Sequence, residues 1–280
     1  MKVIGVDLGG TKILAALIEE EKILRQYSRP TPFEQEEEVV INAIAGAIAE
    51  VFDEDVAGIG IGVPGLVDLK NNLVFNVVNI PSWGIVPLKQ LMEDRFMKPV
   101  FVNNDANCFA LGEKYFGKAK AYRNFVGITL GTGFGAGIII NNHLYSGNHC
   151  GAGEFGMIYY KDKNLEAYSS GQYFKSKNLS GGDLAKKAIE GDEEALKFFD
   201  ELGIHIGRAI ANVLYALAPE AIILGGSVSR SFRFFEKGMR FVLEHEFEYK
   251  AIYEALKIEV TELDNGALGA SSLVLDIGTY

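Results

Sequence analysis

Thiols are scarce in this sequence. Among 280 residues only Cys108 and Cys150 occur, with no C-x-x-C spacing, so neither a disulfide framework nor a cysteine-rich zinc site is expected. No apolar run reaches the roughly 20 residues that a membrane-spanning helix requires, and no membrane partner is expected. Positive charge is also short: 27 Lys and Arg stand against 37 Asp and Glu, a net charge of −10. That balance argues against a nucleic-acid backbone as the main partner. It leaves room for a small anion in a local pocket of backbone N–H groups. Low-complexity segments and flexible linkers are missing, and a strand pattern starts at residue 2. A leader peptide is therefore not expected, and the cytoplasm is the expected location.

What is present is a globular balance of 48% apolar and 23% charged residues, with 32 glycines placed mainly at strand–turn positions. Such a chain can bury a sizeable core in two domains or lobes. A β-rich run over residues 99–102 stops abruptly in Asn103-Asn104-Asp105-Ala106-Asn107, and a helical pattern follows from near residue 108. A carboxylate at a strand end, ringed by amides, can take a proton from a hydroxyl that the amides orient. The same Asp105 could instead be the N-cap of the next helix.

Glycine turns frame this stretch. Residues 3–7 form a strand ending on Asp7, and Leu8-Gly9-Gly10-Thr11-Lys12 turns directly into another strand. This is strand–turn–strand, not the strand–turn–helix of a dinucleotide fold or P-loop. The glycines allow a sharp turn and bring N–H groups close to a phosphate, and Asp7 could hold Mg²⁺ there, usually through water. The pattern recurs about 120 residues later, where the strand 125–130 meets Gly131-Thr132-Gly133-Phe134-Gly135-Ala136-Gly137 and an apolar strand over 138–140. Two such turns predict two related lobes presenting N–H groups to one polyphosphate; two ordinary hairpin turns are the alternative.

Apolar periodicity predicts helices over residues 34–52, 87–97, 109–116, 183–189, 193–217, 232–247 and 266–275. Asn79 near the sole tryptophan, Trp83, suits a wall for a polar ring, although a lone Trp more often belongs to a core. His205, inside a long apolar helix, reads as packed. Gly225-Gly226, after the buried strand 221–224, could admit a base or ribose.

Together these motifs resemble the ROK family (repressors, open reading frames and kinases). The resemblance runs nearly end to end: Asp7-Leu-Gly-Gly-Thr-Lys12, Gly62-Val-Pro-Gly65, Asn103-Asn-Asp-Ala-Asn107, Leu130-Gly-Thr-Gly-Phe-Gly-Ala-Gly137, Gly151-Ala-Gly-Glu-Phe-Gly156 and Leu224-Gly-Gly-Ser227. It implies an α/β, two-lobed actin-like (ribonuclease H-like) fold with the active site in the interlobe cleft. Residues 1–106 plus 266–280 would form one lobe and 107–265 the other. It also implies an ATP- and Mg²⁺-dependent sugar kinase, glucokinase-like, acting on a hexose or N-acetylhexosamine, as a homodimer. Asp105 would be the general base. Gly65, Asn79, Asn104, Glu154 and Glu166 would bind the other sugar hydroxyls. Gly9, Gly10, Thr11, Lys12, Gly131, Thr132 and Gly133 would cradle the phosphates, Asp7 would lie near Mg²⁺, and Gly225-Gly226 near the adenosine.

Two departures from the family pattern stand out. Met157 follows Glu-Phe-Gly where the family has histidine, and the cysteine cluster that should come next is replaced by residues 159–165. Structural zinc is therefore not expected, and packing by Tyr159, Tyr160 and Tyr168 would have to hold the loop carrying Glu154 and Glu166. Losing a polar contact changes discrimination among sugars, so a preference for glucose does not carry over. Polyphosphate as the phosphoryl donor and a non-catalytic sugar-sensing protein are the alternatives; a repressor would carry an added N-terminal DNA-binding domain.

Overall fold

The computed structural model describes residues 1–75, 77 and 79–276. In chain order, β1 (Lys2–Leu8), β2 (Lys12–Glu19) and β3 (Lys22–Pro30) precede α1 (Glu37–Val51), then β4 (Ile59–Val63). Three short strands follow, β5 (Leu66–Asp68), β6 (Leu73–Phe75) and β7 (Ile85–Val86), then α2 (Leu88–Phe96), β8 (Val100–Asn104) and α3 (Asp105–Tyr115). Next come β9 (Phe125–Leu130), β10 (Phe134–Ile140), β11 (His143–Leu144), β12 (Tyr159–Tyr160), β13 (Lys163–Asn164), α4 (Leu165–Ser169), α5 (Gly171–Lys175) and α6 (Gly181–Ile189). The chain ends with α7 (Glu193–Leu217), β14 (Ala221–Gly225), α8 (Phe232–His245), α9 (Lys250–Ala255), β15 (Lys257–Val260) and α10 (Gly266–Leu275).

Two compact units result: Met1–Ala121, Gly137–Ala152 and Glu262–Tyr280 form the first, Tyr122–Ala136 and Gly153–Thr261 the second. Residues 277–280, expected in the first lobe, lie outside the described residues. The division differs from the expected boundary at 106/107 because α3 packs backbone-to-backbone on α10. A Cβ at Gly112 would lie 2.8 Å from Gly269 Cα, and one at Gly269 would lie 2.7 Å from the Cys108 carbonyl oxygen.

In the first unit the sheet order is β3-β2-β1-β4-β8, antiparallel across β3-β2-β1 and parallel across β1-β4-β8. The parallel register aligns Asp7 with Gly62 and Gly62 with Asn103. These residues stand in a row at the carboxyl ends of three strands, where open α/β sheets bind their ligands. Helix α1 follows from an apolar stripe at helical spacing: Val40, Ile44, Ala47 and Ile48 are buried against the sheet. Helix α10 joins β1 and β4 at closest approach. A Cβ at Gly5 or Gly60 would come within 1.8 or 1.9 Å of the Ala267 or Ala270 carbonyl oxygen, so only glycine fits at either position. Trp83 is buried in the same core as Val63 and Val74; it is a packing residue, not a ligand wall.

The second sheet has the order β11-β10-β9-β14-β15, with β9, β14 and β15 mutually parallel. Relabelled by sequence, both sheets have the same order: three turn-linked strands followed by two parallel strands. That matches the repeat read from the two glycine turns. Helix α7 starts at Asp192, whose Oδ1 accepts from Ala195 N–H at 2.8 Å, a standard cap that satisfies an otherwise orphaned donor. Its apolar side, including Phe199, Leu202, Ile206 and Ile210, is buried.

Candidate active site

The strand–helix junction at Asn103–Asp105 is fixed by amides. Asn103 is fully buried, and its Oδ1 accepts from the Asn104 backbone N–H at 2.8 Å and from Asn107 Nδ2 at 2.9 Å. Asn104 is the N-cap of α3: its Oδ1 accepts from Ala106 N–H at 2.9 Å, and its Nδ2 donates to the Gly65 carbonyl at 3.1 Å. The helix therefore starts at Asp105, not near residue 108, and Asn104 does the capping expected as the alternative role of Asp105. Asp105 is exposed at the first helical position, with Oδ1 2.8 Å from Ala106 N–H. The positive end of the helix favours its ionised form. Beneath it, Cys108 Sγ lies 3.2 Å from the Cβ position of Gly62. Cys150, its thiol pushed up to about 11 by burial, lies against the Asn104 backbone N–H.

The same unit presents the first glycine turn. Gly9 N–H donates to the Lys12 carbonyl at 2.9 Å, Thr31 Oγ1 donates to the Gly9 carbonyl at 2.7 Å, and Thr31 N–H to the Thr11 carbonyl at 3.1 Å. With the carbonyls so engaged, the N–H groups of Gly10 and Thr11 have no acceptor among the described residues, as an anion cradle requires. Asn79 lies over this turn, its Cβ 3.1 Å from the Cβ position of Gly10. Asp7 is held above the usual carboxylate range by burial, which nearby Lys12 only partly offsets. Gly266, at the start of α10, leaves the carboxylate its space; a Cβ there would sit 2.4 Å from Oδ2. No side-chain hydrogen bond or ion pair neutralises Asp7 among the described residues. No group of three His, Cys, Asp or Glu forms a metal cage among them either. One carboxylate beside a phosphate turn fits Mg²⁺, which keeps several waters and takes few protein ligands.

In the second unit the Gly131–Gly133 turn is closed by Gly131 N–H donating to the Gly133 carbonyl at 3.0 Å. Thr132 and Gly133 N–H groups have no acceptor among the described residues. Strand β10 begins at Phe134, so Gly135 and Gly137 belong to the strand and only residues 131–133 form the turn. Glu166 reaches this turn: its Oε2 accepts from Phe134 N–H at 2.9 Å and its Oε1 from Gln172 Nε2 at 2.6 Å. Glu154 lies close enough that burial first, and the Glu166 charge second, raise its pKa above the ordinary carboxylate value. Gly226, at φ +84°, turns the chain after β14. A cavity of about 490 Å³ opens beside the turn, with Thr132, Phe174, Phe199, Ser227, Val228 and Arg230 in its wall.

Packing holds the loop between Glu154 and Glu166, but the aromatic set differs from the expected one. Tyr160 and Tyr168 stack edge-on at 5.4 Å, and both meet the His205 ring, at 5.7 and 5.2 Å. Lys161 covers both tyrosine rings. The Tyr160 hydroxyl accepts from Arg208 at 3.0 Å and shares a 3.0 Å hydrogen bond with His205 Nδ1. Tyr159, at 96% exposure, plays no part. Met157 is half exposed, its Sδ 3.7 Å from Asn164 Nδ2. Thr31, Cys150, Gln172 and Gly266 carry no local sequence signal; each acts on a residue distant in the chain or, for Gln172, across the break between α4 and α5.

The ROK family model matches residues 3–277. A glucokinase of Thermotoga maritima is 33% identical, with 98% of this chain and 97% of that protein covered. A xylose repressor of Bacillus subtilis is 30% identical over 98% of this chain and 77% of the repressor. The structure of a ROK family glucokinase from Streptomyces griseus, in complex with glucose and AMPPNP, superposes with a TM-score of 0.84 at 32% identity, covering 98% and 99% of the two chains. The fold is the actin-like α/β fold of these kinases, and the chain belongs to the ROK family.

Proposed function

We propose that this chain is a sugar kinase that transfers the γ-phosphoryl group of ATP, with Mg²⁺, to a hydroxyl of a hexose or N-acetylhexosamine. The carrying observation is Asp105: an exposed carboxylate at the start of α3, next to the N-cap Asn104 and two residues past Asn103, which the register places in line with Gly62 and Asp7. Asp105 takes the proton of the acceptor hydroxyl as its oxygen bonds to the γ-phosphorus. The bond to the β–γ bridging oxygen breaks, ADP leaves, and the proton passes from Asp105 to solvent. By the family resemblance, Asn104, Gly65, Asn79, Glu154 and Glu166 are the candidates for holding the remaining hydroxyls. The N–H groups of Gly9 to Lys12 and Gly131 to Gly133 receive phosphate oxygens. The cavity beyond Thr132 takes the nucleoside, with Gly225-Gly226 at its edge. Asp7 is the residue that would hold Mg²⁺, and the ion would supply charge neutralisation on the phosphates. Phosphoryl transfer depends mainly on such positioning and charge stabilisation.

The match to a xylose repressor favours a second reading, a sugar sensor without turnover. Polyphosphate as donor stays open through the shared phosphate turns. ADP release from Mg-ATP across a panel of hexoses and N-acetylhexosamines separates these readings. One sugar should raise ADP production far above background, and Asp105→Asn should abolish the rise while retaining sugar affinity. Sugar affinity without nucleotide or polyphosphate consumption in the unmutated chain would establish the sensor instead. A homodimer is proposed on the family resemblance, and light scattering tests it.

A further inference from the structure

The acceptor-side residue Glu166 and the donor turn are parts of one hydrogen-bonded piece. Glu166 Oε2 accepts from Phe134 N–H, the first amide after the turn, and Gln172 Nε2 fixes Oε1 at 2.6 Å. Ser170 Oγ spans the Glu166 carbonyl at 2.7 Å and the Thr132 carbonyl at 3.2 Å, and Gly171 N–H donates to the Gly131 carbonyl at 2.8 Å. The contact is close: a Cβ at Gly133 would stand 2.5 Å from Glu166 Oε2. Every residue of the turn thus has a tie to the segment 166–172 or lies against it.

We infer that Glu166 transmits occupancy of the acceptor site to the donor turn, and that Gln172 is a positioning residue that makes this possible. The inference rests on the reading of Glu166 as a sugar-hydroxyl ligand. A hydroxyl donating to Glu166 fixes the carboxylate against repulsion from Glu154. The fixed carboxylate holds Phe134 N–H, and with it the 131–133 turn, in the form that receives phosphate. Without Gln172 the carboxylate can rotate, and a sugar hydroxyl then orders the side chain without ordering the turn. Coupling of this kind is reciprocal: the sugar tightens nucleotide binding by the factor that the nucleotide tightens sugar binding.

Calorimetry of Mg–AMPPNP binding, with and without each saturating sugar of the panel, tests the link. In the wild-type chain the productive sugar should tighten AMPPNP by about 5-fold or more. In Gln172→Leu the factor should fall below about 2-fold, with AMPPNP affinity in the absence of sugar near wild type and the ATP KM at saturating sugar raised more than kcat is lowered. Ser170→Ala, which removes the Oγ contacts to the Thr132 and Glu166 carbonyls and the cap on Gln172 N–H, should also lower the factor, and melting temperatures near wild type in both variants guard against a fold defect. Undiminished coupling in both variants, or no coupling in wild type, overturns the link and leaves the kinase reading intact. A wild-type chain that binds AMPPNP but none of the sugars refutes the acceptor reading, and the link falls with it.

Discussion

Asp105→Asn separates chemistry from stability more cleanly than any other single change in this chain. The side chain is exposed, and the caps and struts of the junction belong to its neighbours: Asn104 to Ala106 N–H and Gly65, Asn103 to Asn104 and Asn107. The interaction of its charge with the helix terminus is lost, about 0.3–1 kcal/mol. An amide oxygen still faces Ala106 N–H. For a chain of this size the melting temperature should drop by no more than about 2 °C. Removing a general base typically costs about 10²–10⁴ in rate, or about 2.7–5.4 kcal/mol of transition-state stabilisation. Single-turnover formation of sugar phosphate, with sugar affinity measured in parallel, reads the two effects separately. If the folded variant retained kcat within about 10-fold of wild type, Asp105 would not be the base. A large loss of sugar affinity at unchanged kcat would make it a binding residue instead.

Asp7→Asn removes a carboxylate whose pKa is raised by burial. The charged form is therefore a stability penalty that develops as pH rises through the folded pKa. The variant should melt above wild type in chelator at neutral pH, the gain should shrink in acid, and calorimetry should show weakened Mg²⁺ dependence of nucleotide binding. His205 has its pKa lowered to about 4 by burial first and by the nearby Lys161 and Arg208 charges next. Its neutral form is stabilised, so wild type should lose stability as pH falls from about 6.5 toward 4, by up to about 3 kcal/mol. His205→Gln should flatten that part of the pH–stability curve, and a curve parallel to wild type would assign the acid loss elsewhere. Tyr160→Phe leaves His205 Nδ1 and one Arg208 N–H without their shared partner. A loss of about 1–3 kcal/mol in denaturant midpoint is expected.

The elements most legible in the sequence are those set by local rules. Helix α7 over Glu193–Leu217 and helix α10 over Gly266–Leu275 match their expected limits, since both pair a long apolar pattern with a capping side chain, Asp192 or Asn265. The strand–turn–strand units at residues 9–11 and 131–133 were legible because their glycines mark a sharp turn directly between two apolar strand patterns. The start of α3 was displaced by three residues because Asn104 and Asp105 are both good caps, and their order depends on Gly65, which holds the Asn104 amide from 39 positions away. Helix α9 was missed: its six residues bury no side chain, so it leaves no periodic signal. Tyr159 looked equivalent to Tyr160, but alternation along β12 points it to solvent and turns Tyr160 toward His205.

The two units share a strand order but not a chemistry, and the register shows why. At the carboxyl ends of β1, β4 and β8 the aligned positions are Asp7, Gly62 and Asn103, followed at once by Asp105. That edge gathers carboxylates and amides suited to moving a proton and meeting a cation. At the corresponding edge of the second sheet, Thr129 aligns with Gly225, and both strands run into glycine turns beside a cavity with apolar walls. Neither β9 nor β14 ends in a carboxylate. Two carboxylates of the second unit, Glu154 between β11 and β12 and Glu166 in α4, follow β10 in the chain, and Glu166 is bonded to the first amide after the glycine turn. A repeated scaffold therefore carries different side chains at its two edges, and in the second unit the segment after β10 returns a carboxylate to the glycine turn.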